Sequence, residues 1–244
     1  MAGLIRPHGP LPAVMFVSIP THSRPAFRWA TPLLCAALWC VYLWASTRPE
    51  SVERALMARW GALTGGLAPG ALADWWGDGE HGLRLLTALF VHADWAHLLG
   101  NLVFLLIFGL PAERVLGSWR MLALFLAGGA VANLVTVLVI DAPDRFVIGA
   151  SGAVSALIGT YLALFPRAHL GVVLPLGLFL EFVRAPASLL IGIWALLQVV
   201  FAYIGPAFGA VAWSAHIAGF AFGVAFALFS RGAIARRLRR QKGY

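Results

Sequence analysis

Ser151, His216, His97 and Asn101 are the residues of this chain whose types and settings suit chemistry. Ser151 lies in Gly149-Ala150-Ser151-Gly152, where an apolar run begins. At the start of a helix the first backbone N–H groups lack intrahelical partners and the dipole end is positive. A serine hydroxyl there sits beside donors able to hold a developing oxyanion. The flanking glycines permit a tight entry turn and close approach of another backbone. His216 lies near the start of the last apolar run, and a neutral imidazole can take a serine proton at near-neutral pH. Nothing acidic is near it in sequence, so the chain offers a Ser–His dyad rather than a triad. His97 and Asn101 are four apart, on one helical face, and both can donate hydrogen bonds. The plain alternatives are an N-cap serine and interior polar residues that tie helices together.

The elements that carry these residues are constrained by composition. The chain has 244 residues, of which 61% are hydrophobic and 11% charged. Soluble domains average about 45–50% apolar and about 25% charged, and disordered chains need low hydrophobicity with high charge, so both classes are excluded. Charge-free stretches run over 29–47, 95–112, 121–140, 146–166 and 185–230. A bilayer span needs about 20 apolar residues. The first four stretches each hold one helix, and the fifth holds two, divided at Gly205-Pro206. The expected fold class is an all-α polytopic membrane protein, with spans near 29–46, 95–112, 120–140, 150–166, 186–204 and 212–230. Residues 1–28 are expected to form a mostly unstructured cytoplasmic tail, 29–230 the membrane domain and 231–244 a basic cytoplasmic tail. Two short apolar stretches, 60–73 and 168–180, are expected to be interfacial or re-entrant.

With six spans, 13 of the 18 Lys and Arg residues fall on one side and 5 on the other. The positive-inside rule makes the first side cytoplasmic, with both termini there. The basic residues of 231–242 follow directly on a span, which favours anionic lipid over nucleic acid as their partner. Cys35 and Cys40 are five apart within the first span and do not face one another, so neither a disulfide nor a two-cysteine metal site is expected.

Polar residues inside spans are costly and usually face the protein interior. Besides the four above they include Asn133, Thr136, Ser155, Thr160, Gln198 and Ser214. Ser151, Ser155 and Gly159 recur at four-residue intervals, and Gly219 and Gly223 follow His216 at +3 and +7. Small residues at that spacing let two helices pack closely, as a short serine–imidazole hydrogen bond requires. The six-span topology puts Ser151, His216 and His97 together in the outer half of the membrane.

In these features the sequence resembles the rhomboid family of intramembrane serine proteases. His97-x-x-x-Asn101, Glu113-x-x-x-Gly117, Gly149-x-Ser151-Gly152 and Ala215-His216-x-x-Gly219-x-x-x-Gly223 occur in the family's order, and the resemblance covers roughly 28–230. The helix with Pro186, Trp194 and Gln198 also looks typical of bacterial members. The resemblance implies a six-helix domain with Ser151 as nucleophile and His216 as general base. It implies an oxyanion hole of His97, Asn101 and the Ser151 N–H. It gives His92, Gly149, Gly152, Gly219, Gly223, Glu113 and Arg84 supporting roles, and makes the loop near 205–212 a movable cap. One position departs from the family: Ser155 stands where an aromatic residue often packs under the imidazole.

The expected function is therefore hydrolysis of transmembrane segments of single-span proteins through an acyl-enzyme, with no metal or cofactor. The expected location is a bacterial inner membrane, and no nucleic-acid partner is expected. A catalytically silent, helix-binding relative is the alternative. Metal-dependent proteolysis lacks an H-E-x-x-H motif, since His92 and His97 are five apart. Inverted-repeat transport lacks paired broken helices.

Overall fold

The computed structural model of the protein describes residues 27–64, 80–140, 145–176, 179–204 and 212–242. The expected tail up to residue 26, the Gly-rich stretch from 65, and the cap around Gly205-Pro206 lie outside the described residues. The helices are α1 (Ala30–Ser46), α2 (Glu50–Trp60), α3 (Glu80–Thr87), α4 (Trp95–Leu116), α5 (Ser118–Val139), α6 (Ser151–Leu164), α7 (Ala187–Ile204) and α8 (Trp213–Lys242). Four of them, α4, α5, α7 and α8 as far as Arg239, are long and apolar enough to cross a membrane, and α1 and α6 are shorter apolar helices. Together they occupy the six expected spans, and the chain is a multi-pass membrane protein.

Helix α6 is the axis of the bundle. Eleven of its fourteen residues are buried, from Gly152 to Leu164. At 1.5 Å per residue it is about 21 Å long, shorter than the roughly 30 Å of hydrocarbon in a bilayer. Gly149 and Ala150 before it are buried too, so its N-terminus begins inside the bundle, and Ser151 with it. The surrounding helices turn one face inward and the rest outward. In α7, Ala187, Ile191 and Gln198 are buried, with Trp194 half-buried on the same face, while Leu189, Ile193, Leu196 and Val200 are exposed. Large exposed apolar side chains at this density suit a lipid solvent, where no hydrophobic penalty attaches to them.

Helix α4 carries a π-helical turn over Leu105–Gly109. Pro111 follows at once and has no N–H to return to the carbonyl four residues back, so the hydrogen-bond register widens there. The 168–180 stretch belongs to an antiparallel hairpin of two longer strands, β3 (His169–Leu176) and β4 (Phe179–Pro186), between α6 and α7. The other apolar stretch contributes β1 (Ala62–Leu63), which pairs with β2 (Phe146–Val147). Helix α8 continues without a break through the basic residues to Lys242.

One end of the bundle is fastened by Glu113, which is 1% exposed. Its carboxylate accepts from the backbone N–H groups of Ala30 and Thr31 at 2.9 Å each and from the Ser118 hydroxyl at 2.5 Å. One side chain of α4 thus satisfies the otherwise unpaired N-terminus of α1. Gly117, with φ of +83°, makes the turn into α5, and a Cβ there would lie 2.7 Å from the guanidinium of Arg237.

Candidate active site

The sequence places Ser151 at the first position of α6, and the structure shows why that turn needs Gly149. Gly149 has φ of +105°, and a Cβ on it would lie 2.5 Å from two ring atoms of His97. The imidazole of His97 therefore lies against the backbone immediately before Ser151. The Gly149 N–H donates to the Ala88 carbonyl at 2.8 Å, and the Ala150 N–H donates to His92 Nε2 at 3.4 Å. His92 and His97 meet edge to face, with ring centroids 5.0 Å apart. Residues 88–97 thus clamp the Gly149–Ser151 turn. His97 is fixed in its own backbone by the Asp94 carboxylate, which caps α4 by accepting from the His97 N–H at 2.8 Å.

Helix α8 brings His216 to the same place. A Cβ on Gly219 would fall 2.1 Å from the Gly152 carbonyl oxygen, and one on Gly223 would fall 1.9 Å from that of Ala156. Only bare backbone fits, so the two helices run in direct contact along this seam. His216 follows Ser151 into the cluster because it lies one turn before Gly219. Ser151, His97 and His216 are all half-buried. His97 and His216 are close enough to interact electrostatically. Asn101 is buried, and one of its amide hydrogens goes to the His97 carbonyl at 3.0 Å. Among the described residues no hydrogen bond joins the Ser151 hydroxyl to His216. Such bonds are often long without substrate and tighten when it binds.

His216 is held on its other side. Its Nδ1 lies 2.7 Å from Gln198 Oε1 on α7. The Trp194 ring lies 6.4 Å away, tilted by 31°, and the Trp213 ring meets it edge-on at 5.8 Å. These indoles are aromatic neighbours for a ring that has Ser155 where an aromatic was expected. Ser155 is small for a packing reason. Its Cβ is 3.3 Å from where a Cβ on Gly219 would stand, within the α6–α8 seam, and its hydroxyl bonds back to the Ser151 carbonyl at 2.7 Å.

Two supporting residues lie apart from this cluster. Arg84 reaches the Ala58 carbonyl at 3.5 Å and Glu80 at 3.7 Å, and so ties α3 to α2. Glu113 is sixteen residues beyond His97 on α4, about 24 Å along a helix. The remaining polar residues inside spans tie helices together. Thr160 donates to the Gly223 carbonyl at 2.8 Å, Ser214 to the Thr136 hydroxyl at 3.1 Å and Asn133 to the Leu85 carbonyl at 2.9 Å. No cluster of potential metal ligands occurs among the described residues. Gln198 was visible in the sequence as a polar residue on the inward face of its span, but its partner was not.

Residues 79–232 match the Rhomboid domain. A putative rhomboid protease of Bacillus subtilis, YdcA, is 36% identical over 92 residues, which are 38% of this chain and 42% of that protein. The rhomboid protease GluP of the same bacterium is 34% identical over 99 residues, 40% of this chain and 18% of GluP. The inactive rhomboid protein 1 of Drosophila melanogaster is 31% identical over 86 residues, 35% of this chain and 6% of that protein. The matched stretches span less than half the length of these relatives.

Proposed function

The chain belongs to the rhomboid family, and from that premise we propose that it is an intramembrane serine endopeptidase. The observation that carries the proposal is the seam between α6 and α8. Backbone contact at Gly152 and Gly219 puts the start of a buried helix, with the half-buried Ser151 on it, beside the turn that bears His216.

His216 takes the proton of Ser151, whose oxygen attacks the scissile carbonyl. The resulting oxyanion is held by the Ser151 N–H, His97 and Asn101. Loss of one such donor typically costs 10²–10³ in rate. His216 then returns the proton to the leaving amine, and water resolves the acyl-enzyme. A transmembrane helix hides its peptide bonds in internal hydrogen bonds and must unwind locally first. The substrates proposed are single-span proteins with small or helix-breaking residues near the outer membrane face. The charge distribution supports cytoplasmic termini, and the location proposed is a bacterial inner membrane.

One observation favours a second reading, in which the fold binds membrane helices without cutting them: a matched relative is named inactive. The two readings part in liposomes containing the protein and a single-span reporter. Hydrolysis predicts two reporter fragments with wild type and none with Ser151→Ala. An intact reporter that still co-purifies with folded wild type would establish the binding reading instead.

A further inference from the structure

We propose that Gln198 is the positioning residue of the dyad, fixing the tautomer and orientation of the His216 imidazole from the neighbouring helix α7. The inference rests on the reading of His216 as general base. Gln198 is 6% exposed on a helix whose other large residues mostly face outward. A buried amide in a span is retained only where its hydrogen bonds are met. Its Nε2 donates to the Trp194 carbonyl, one turn back, at 3.3 Å, which turns Oε1 towards His216 Nδ1 at 2.7 Å. The reverse orientation would set the amide oxygen against a carbonyl oxygen, and neither can donate.

An acceptor at Nδ1 requires that Nδ1 carry the proton. Nε2 is then unprotonated and is the nitrogen free to accept the Ser151 proton. This is the office that a third residue performs in a triad, where a group bonded to Nδ1 sets the tautomer and ring orientation. Here the third group is a neutral amide. It orients the ring but supplies no negative charge for the imidazolium that forms during attack. Neither α6 nor α7 contains a charged residue, and the titratable group that interacts with His216 is His97 on α4. Trp194 stands one turn before Gln198 on the same inward face, so α7 meets the imidazole with a ring and an amide together.

The test compares wild type, Gln198→Leu and Gln198→Glu, all full length in detergent, with His216→Ala as baseline. The rate of Ser151 labelling by a fluorophosphonate is followed across pH, and thermal unfolding reports folding. Gln198→Leu is expected to slow labelling by about tenfold or more while remaining folded. Gln198→Glu is expected to keep the tautomer and move the acid limb of the rate profile to higher pH, since a carboxylate at Nδ1 favours the imidazolium. If Gln198→Leu does not fold, the shift in Gln198→Glu decides alone. Unchanged rates, or an equal loss in both variants with the wild-type pH profile, would overturn the proposal and leave the dyad standing. Wild type no faster than His216→Ala would overturn both.

Discussion

Gly219 of α8 and Gly152 of α6 touch backbone to backbone, so that a single added carbon on Gly219 would stand 2.1 Å from the Gly152 carbonyl oxygen. The distance between the serine and histidine helices is set at this point, one residue from Ser151 and three from His216. Close packing at small residues holds such helices together, because lipid supplies no hydrophobic force to press them against one another.

Gly219→Ala is therefore expected to force α6 and α8 apart. Overpacking of this kind costs about 1–3 kcal/mol. Thermal unfolding in detergent should fall accordingly, and fluorophosphonate labelling of Ser151 should be lost. Gly192→Ala, where a Cβ meets nothing within 4 Å, should leave both unchanged.

Glu113 tests the opposite end of the molecule. Glu113→Ala strands the N–H groups of Ala30 and Thr31 in a buried place, at about 1–3 kcal/mol for each unmet donor. Unfolding in mixed detergent and sodium dodecyl sulfate should show a loss of about 2–6 kcal/mol. Ser118→Ala removes a donor and should cost less. Folded Glu113→Ala should still label at Ser151, since the carboxylate lies far from that site.

His92 gives a pH prediction. Burial, reinforced by the neighbouring His97, pushes its pKa down from 6.5 to about 4. Its Nε2 accepts from the Ala150 N–H, so protonation there would set two donors against each other. In the unfolded chain the imidazole binds its proton near pH 6.5 while the folded protein does not. Its contribution to stability is thus complete above pH 6.5 and is lost as pH falls towards 4. His92→Gln keeps an acceptor but does not titrate. Thermal unfolding between pH 7 and 4.5 should decline less steeply in that variant than in wild type. Equal slopes would contradict the assignment.

The helices were legible because a bilayer demands long charge-free runs, and these bracket α1, α4 to α7 and the start of α8 to within a few residues, while α8 runs on through the basic residues expected to form a tail. The approach of α6 to α8 was legible too, since small residues at intervals of three and four have few other uses in a span. The hairpin was not. Its apolar run reads equally as an interfacial segment, and only strand pairing distant in sequence, such as His169 with Pro186, separates the two. Valines and phenylalanines at 172, 173, 179, 182 and 183 were the available signal. The π-turn before Pro111 is a local compensation that helical periodicity does not reveal. The Gln198–His216 contact joins residues eighteen apart across the 205–212 connection, so no spacing rule points to it. Position 155, where the family often has an aromatic residue, lies in the α6–α8 seam, and the indoles beside His216 stand instead on α7 and α8.

In the function proposed above, the α6–α8 seam activates Ser151. That activation is tested most directly by a fluorophosphonate added to the purified protein, with the labelled peptide identified by mass spectrometry. One adduct is expected, on Ser151, in wild type and none in Ser151→Ala or His216→Ala. Folded wild type that takes no label, or label that persists in His216→Ala at the wild-type rate, would contradict it.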